Sequence, residues 1–281
     1  MKIDRLQKIL SDFEARPIVI MSHERSGTHL NIDLLRKQMK ECFVWKWPSQ
    51  KLSRLYLALE SIDNPGAPTP TPSSLAVGVL RRGGVPLFKT HLTLQQIREG
   101  SEIFGHPVSP IWTHWLLRRG RFCYVYRDGR EVMCSLYLFY DSDPAYSGRS
   151  FSEFLRSKDR GLTPPQRWAE HVRQGLLVPD VYPMKWEDVI RQTDEFIQDT
   201  ARHFDLTPKN VRPLLPRRRN KSFVNSIRGR LAITHESTAI VHRKPSPKWR
   251  DIFTPSDVEF FNQETKNLIV ELNYESTAGW G

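Results

Sequence analysis

Residues 17–35 read PIVIMSHERSGTHLNIDLL, and this stretch decides the fold. Ile18-Val19-Ile20-Met21 is a short continuous apolar run, the pattern of a buried strand. A polar turn follows, Ser22-His23-Glu24-Arg25-Ser26-Gly27-Thr28, and then a helical pattern with Leu30, Leu34 and Leu35 on one face. Strand, glycine-bearing turn and helix N-terminus together build an anion site. The free N–H groups of the first helical turn and the helix dipole favour phosphate or sulfate there. Arg25 adds a positive fork, and Ser26 and Thr28 add hydroxyl donors. The same residues also suit a plain helix cap made by Ser26 or Thr28. The G-x-x-x-x-G-K-[ST] loop of nucleotide triphosphatases is absent.

Working outward, the chain has 281 residues, enough for one large α/β domain spanning 1–281 or two small ones, and its 39% hydrophobic content supports a core. It contains no apolar run of membrane-spanning length, and its N-terminus reads as a polar amphipathic helix over residues 1–15. The expectation is a soluble, cytoplasmic protein with no membrane partner. Cys42, Cys123 and Cys134 are odd in number and sit in apolar contexts, so they read as reduced core residues, with no metal site. A net charge of +11 suggests an anionic partner, either a multiply charged nucleotide or a nucleic acid.

Further strands are expected at Met39–Trp47, around Cys42, Phe43 and Val44, at Val85–Phe88, Arg121–Tyr126 and Val181–Lys185. Helices are expected over Gln50–Ile62, Thr93–Gly100, Ser109–Arg118, Arg130–Tyr140, Ser150–Lys158 and Pro165–Leu177, and the prolines of Asp63–Ser74 mark a loop. Thr254 and Pro255 open the last helix. Strands alternating with helices imply a single α/β domain with a central parallel sheet flanked by helices. Ligands of such sheets bind beyond the carboxyl ends of the strands. Four strand ends carry polar residues of one kind: Arg25/Ser26, Lys89/His91, Arg127 and Trp186/Glu187.

Two of these ends suggest chemistry. Lys89 and His91 would face the same side of a continuing strand. A histidine there can take a proton from a hydroxyl, and a neighbouring lysine keeps it a neutral base. Arg127 leaves its strand with Ser135 about two helical turns later, so the pair can grip one phosphate. Val132, Leu136 and Phe139 would form the core face of that helix.

Together these residues resemble the sulfotransferases that use 3′-phosphoadenosine 5′-phosphosulfate, particularly the cytosolic branch. That family shows Pro-Lys-Ser-Gly-Thr-Thr-Trp after its first strand, where this chain has Glu24-Arg25-Ser26-Gly27-Thr28-His29-Leu30. Its Lys-Thr-His-Leu matches Lys89-Thr90-His91-Leu92 in full. Its Arg and later Ser correspond to Arg127 and Ser135, and its Tyr-Glu-Asp-Leu to Trp186-Glu187-Asp188-Val189. Its Ser-Phe corresponds to Ser222-Phe223. Its Arg-Lys-Gly and Asp-Trp-Lys-Asn-x-Phe-Thr correspond to Arg243-Lys244-Pro245 and Lys248 to Thr254.

The resemblance implies a P-loop-like sulfotransferase fold and a sulfuryl transfer to a hydroxyl or amine acceptor. Arg25, Ser26, Gly27, Thr28 and His29 would hold the 5′-phosphosulfate. Arg127, Ser135, Arg243 and Lys244 would hold the 3′-phosphate, and Trp186 and Phe223 would contact adenine. His91 would be the catalytic base, with Lys89 and Arg25 at the sulfuryl group and no metal. Three departures stand out. Arg25 replaces a lysine, so a point charge becomes a fork. Leu30 occupies the cofactor-binding position of a tryptophan expected to stack on adenine. Pro245 replaces a glycine whose N–H would meet the phosphate. The dimer motif is only partly matched by Arg250, Thr254, Pro255 and Glu259, which leaves monomer or weak homodimer.

The acceptor would be a small molecule, bound by loops in Lys46–Ser74, Asp141–Arg149 and Ile227–Ile240 that include Trp45, Trp47, Tyr140 and Tyr146. The alternative is a basic nucleotide- or nucleic-acid-binding protein without transferase activity, which predicts a basic stripe interleaved with exposed aromatics. Trp112, Trp115 and Tyr137 instead fall in core-like helical patterns, which favours the enzyme with no nucleic-acid partner.

Overall fold

A computed structural model describes residues 2–42, 55–82, 84–103, 105–140, 147–211 and 248–277. The first half runs α1 (Ile3–Ser11), β1 (Ile18–Ser22), α2 (Thr28–Gln38), β2 (Leu57–Ala58), α3 (Ser73–Leu80), β3 (Leu87–Thr90) and α4 (Leu94–Glu99). A small antiparallel pair, β4 (Glu102–Ile103) and β5 (His106–Pro107), precedes α5 (Pro110–Arg119), β6 (Arg121–Tyr126) and α6 (Gly129–Tyr140). Then come α7 (Phe151–Arg156), α8 (Pro164–Leu176), β7 (Val181–Lys185), α9 (Trp186–Arg191) and α10 (Asp194–Phe204). The last described elements are α11 (Trp249–Ile252), α12 (Pro255–Thr265) and α13 (Leu268–Glu271).

Five strands form one parallel sheet in the order β2-β3-β1-β6-β7. Every residue of β1 is buried, as expected of a central parallel strand covered on both faces. The strand's alternation sorts the core into two layers. Ile18 and Ile20 pack with Ile32, Leu34 and Leu35 of α2 and with Cys123 and Val125 of β6. Val19 and Met21 face the other way, onto Trp112 of α5, Val132 of α6 and Trp168 of α8. From β1 the chain leaves toward β2, whereas from β6 it leaves toward β7. The carboxyl ends of β1 and β6 therefore flank the topological switch point, the place where such sheets bind ligands.

The expected strands at 18–21, 121–126 and 181–185 and the α/β class are present, and the strand expected at 85–88 runs two residues later, Leu87–Thr90. Cys42, Cys123 and Cys134 are free and buried. Several expectations give way to tertiary contacts. The helix expected over Gln50–Ile62 is not formed in its described part. Leu57 and Ala58 instead pair with Phe88 and Lys89 as a sheet edge, and Leu59–Ser61 makes a single 3-10 turn. The loop over Asp63–Ser74 ends early, because the Asp63 carboxylate accepts the Ser73 N–H at 2.7 Å and starts α3. The helix that Trp186-Glu187-Asp188 is expected to cap is two helices: those residues open α9, and α10, capped by Thr193, buries Ile197, Ala201 and Phe204. Of the strand expected at Met39–Trp47, Met39 forms an isolated bridge to Pro208, and Phe43–Trp47 lies outside the described residues. Phe139, expected in the core, is 42% exposed, while Val132 and Leu136 are buried.

Two contacts fix the helices that carry the site. Helix α8 crosses the sheet so closely that a Cβ on Gly175 would lie 2.2 Å from the Tyr124 ring. Arg130, 2% exposed, ties the C-terminal segment to α6. Its guanidinium grips Asp128 at 2.7 Å and Glu275 at 2.6 Å and lies 4.1 Å over the Trp249 ring. Gly175→Ala should overpack that crossing and lower stability by about 1–3 kcal/mol. Arg130→Met should cost about 3–5 kcal/mol by leaving Asp128 without its cation. Urea unfolding midpoints of both variants measure these losses.

Candidate active site

The turn after β1 is built by backbone geometry. Arg25 sits in the left-handed region at φ 63° and Gly27 at φ 106°. A non-glycine residue held there stores about 1–3 kcal/mol of strain, typical of functional turns. Gly27, and not Ser26 or Thr28, is the N-cap residue of α2. It has to be glycine twice over, because a Cβ would also meet Trp186 Cδ1 at 2.4 Å. The first bond of α2 runs from the Asn31 N–H to the Gly27 carbonyl at 3.1 Å. The N–H groups of Thr28, His29 and Leu30 thus have no acceptor inside the helix. The Thr28 hydroxyl pairs with Ser22. The Ser26 hydroxyl is fully buried and has no hydrogen-bond partner among the described residues. A buried hydroxyl without a partner is unfavourable unless a ligand oxygen completes it. The His29 ring packs edge-on against Tyr56, and Leu30 packs against the α2 face of the core.

At the end of β3, Lys89 lies in the strand and His91 just beyond it. His91 is fixed at three atoms. Its Nδ1 bonds the Ser22 carbonyl at 3.0 Å, its backbone N–H donates to the Glu60 carboxylate, and its carbonyl accepts from His171 Nε2 at 2.8 Å. The Ser22 carbonyl can only accept, so Nδ1 carries the proton and Nε2 keeps the lone pair. Burial holds the His91 pKa below the ordinary 6.5, and Lys89 lowers it further, against opposition from Glu60 and Glu24. Burial likewise lowers Lys89, opposed by Glu60 and Glu24.

Arg127, at the end of β6, lies 4.3 Å over the Trp186 ring and bridges Glu131 at 3.3 Å. Arg25 Nε donates to Ser135 Oγ at 3.1 Å, and its guanidinium is 5.3 Å from the exposed Phe139 ring. Burial and then the Arg127 charge lower the Arg25 pKa. Ser135 is therefore joined to the first turn, while Arg127 is joined to α9 through Trp186. Trp186 in turn closes on Gly27, so the ends of β1, β6 and β7 meet in one crevice.

Sequence reasoning placed Arg25, Ser26, Gly27, Thr28, Lys89, His91, Arg127, Ser135 and Trp186 at strand ends and helix starts, and the structure gathers them along one edge of the sheet. Phe223, Arg243 and Lys244 lie outside the described residues, as do Trp45, Trp47 and Tyr146. Two polar groups at this edge were not anticipated. Glu60 was hidden by the helix expected at Gln50–Ile62. His171 was one histidine on a helix. Glu24 and Tyr140 meet through a 3.2 Å bond from the Tyr140 hydroxyl. Burial works against the Glu24 carboxylate, but His91, His23 and Tyr140 outweigh it and lower its pKa.

The model of the sulfotransferase domain family matches residues 15–273. No curated protein matches the chain in sequence. Among solved structures the chain is similar to the mouse sulfotransferase SULT7A1 complexed with PAP, at 14% identity and a TM-score of 0.49, covering 99% of this chain and 93% of that one. It is also similar to the sulfotransferase STF9 from Mycobacterium avium, at 10% identity and a TM-score of 0.47, covering 97% and 81%. With the family match running almost from end to end over a parallel sheet of this order, the chain belongs to the sulfotransferase domain family.

Proposed function

We propose that this protein moves the sulfuryl group of 3′-phosphoadenosine 5′-phosphosulfate to a hydroxyl or amine on a small acceptor, with His91 as general base. The observation that carries this reading is the bond from His91 Nδ1 to the Ser22 carbonyl. It leaves Nε2 as the basic nitrogen of a ring tied to the strand end from which that turn departs. The Ser26 hydroxyl, without a hydrogen-bond partner among the described residues, the N-terminus of α2 and the two arginines fit an anionic co-substrate.

When bound, the co-substrate supplies an activated sulfuryl group on a phosphate leaving group. The α2 N-terminus, Arg25, Ser26, Gly27, Thr28 and the main chain of His29 hold the phosphosulfate. Trp186 offers a ring to adenine, and Leu30 stands where the family's tryptophan would stack. Arg127 and Ser135 contribute to the 3′-phosphate, together with Arg243 and Lys244, and Phe223 completes the adenine contacts. His91 Nε2 takes the acceptor's proton as the new S–O bond forms. Arg25 and Lys89 balance the charge left on the departing phosphate oxygen. Positioning and electrostatics supply most of the rate, as in phosphoryl transfer. Against the nucleic-acid alternative, Trp112 and Trp115 are buried in the core rather than displayed. We assign the protein a cytoplasmic location and a monomeric or weakly dimeric state; among the described residues no helix is long and apolar enough to cross a membrane.

The nucleotide 3′-phosphoadenosine 5′-phosphate should raise Tm, and single-stranded DNA should not; the reverse result selects the nucleic-acid reading. With a labelled sulfuryl donor, a screen of phenols, alcohols, sugars and amines should identify the acceptor. His91→Ala should lower that turnover by roughly a hundredfold or more while the nucleotide-induced Tm rise persists. Since a protonated imidazole cannot accept a proton, the rate should be flat above pH 6.5 and fall only below it, because burial and Lys89 depress the His91 pKa. Lys89→Met removes one depressing charge, so this acid limb should move to higher pH. Unchanged turnover in His91→Ala would remove His91 from the reaction.

A further inference from the structure

Beneath the site lies a polar chain that the reaction above does not use. Tyr124, in the middle of β6, points its hydroxyl at His171 of α8, and the Tyr124 oxygen lies 2.6 Å from His171 Nδ1. His171 Nε2 is 2.8 Å from the His91 carbonyl. The main chain of His23, in the anion turn, lies against the same Tyr124 oxygen, and the His23 ring meets the His171 ring edge-on at 5.4 Å. The carbonyl of His91 can only accept, so Nε2 of His171 carries a proton. Its Nδ1 then accepts the Tyr124 O–H. Every atom of this chain is satisfied, as burial demands.

The surroundings keep His171 in that single state. Burial, and then the nearby His23, push its pKa down to about 3, opposed by its bond to the His91 backbone. Burial also pushes the Tyr124 hydroxyl far above its ordinary value. The packing is arranged for the contact too. Gly175 stands one helical turn after His171 on the same face of α8, and its missing Cβ is what admits the Tyr124 ring. A histidine in a helix normally reads as a surface or core residue. Here it meets His23 of the turn, Tyr124 of β6 and the main chain of His91.

We propose that His171 is a positioning residue for sulfuryl transfer, holding the main chain of His91 at a fixed distance from the turn through its bonds to the His91 carbonyl and the Tyr124 hydroxyl. The inference rests on His91 being the base, but its geometric content does not depend on that. Glu60 grips the N–H of the same residue from the β2 side. His91 is thus clamped at both ends of its backbone, and its ring is left to be set by the Ser22 carbonyl. With the His171 contact gone, the β3 end would be held from one side only, and the imidazole would drift relative to the turn. Misplacement of about 1 Å costs on the order of a hundredfold in rate.

The test uses the full chain with three substitutions. His171→Phe removes both bonds at similar volume. His171→Gln restores an N–H donor. Tyr124→Phe deletes only the oxygen. Nitrogen-15 shifts of the His91 imidazole report its tautomer without any acceptor. The wild type should show a single Nδ1–H form. His171→Phe should show mixed tautomers, and His171→Gln should recover most of the single form. Turnover with the acceptor found by screening should fall roughly tenfold to a hundredfold in His171→Phe. It should recover in His171→Gln, with an unaltered Tm rise on adding 3′-phosphoadenosine 5′-phosphate throughout. A merely structural role would lower Tm without moving the His91 shifts, and that result overturns the proposal. Should His171→Phe fail to fold, Tyr124→Phe decides by the same readouts. Absence of turnover in the wild type would count against the sulfotransferase reading alone, because the tautomer measurement still decides the role of His171.

Discussion

The His91 imidazole and the Ser22 carbonyl, 3.0 Å apart, join the two strands on which this site depends. Ser22 closes β1, and His91 lies just past the end of β3, its neighbour in the sheet. A parallel pair fixes where two strands end relative to one another, and the side chain then needs to span only that offset. One bond does two things. It places the imidazole beside the anion turn, and it assigns the proton to Nδ1 so that the opposite nitrogen is basic. Burial and Lys89 then keep the ring neutral. All of it is set by groups on two neighbouring, paired strands.

The sequence was legible wherever local pattern and tertiary demand agree. The apolar runs Ile18–Met21 and Arg121–Tyr126 are buried on both sides, so their hydrophobicity is continuous and their strand character plain. The residues that follow them are polar, at strand ends that flank the switch point. Legibility fails where a remote partner decides. Leu57 and Ala58 sit in a helix-like stretch but are captured by β3. Helix α3 begins at Ser73 because Asp63, ten residues earlier, supplies its cap. Phe139 has helical core spacing, yet it faces out under the Arg25 guanidinium. In each case the winning contact joins residues that no local window sees together.

The same limit explains which site residues were missed. Lys89, His91 and Arg127 announce themselves by following apolar runs. Glu60 and His171 act on the backbone of His91 and carry no such signature. A carboxylate accepting a main-chain N–H and an imidazole donating to a main-chain carbonyl are invisible until the fold brings them together.

The charge arrangement closes the argument. The charge of Arg127 disfavours that of Arg25, and burial works against both. Glu131 offsets part of this at Arg127, and the Trp186 face offsets a little more. At Arg25 the Glu24 charge opposes burial and Arg127, and the guanidinium Nε donates to the Ser135 hydroxyl. Adding the strained φ of Arg25 and the buried Ser26 hydroxyl, this corner of the molecule concentrates unfavourable terms that the rest of the fold must outweigh. On the reading proposed above, a multiply charged anion would screen the Arg127 charge from Arg25, accept from the Ser26 hydroxyl and draw on the α2 dipole, while the backbone strain at Arg25 would stay. Unfavourable terms held in place by the fold are, on that reading, the physical form that preorganisation for an anion takes here.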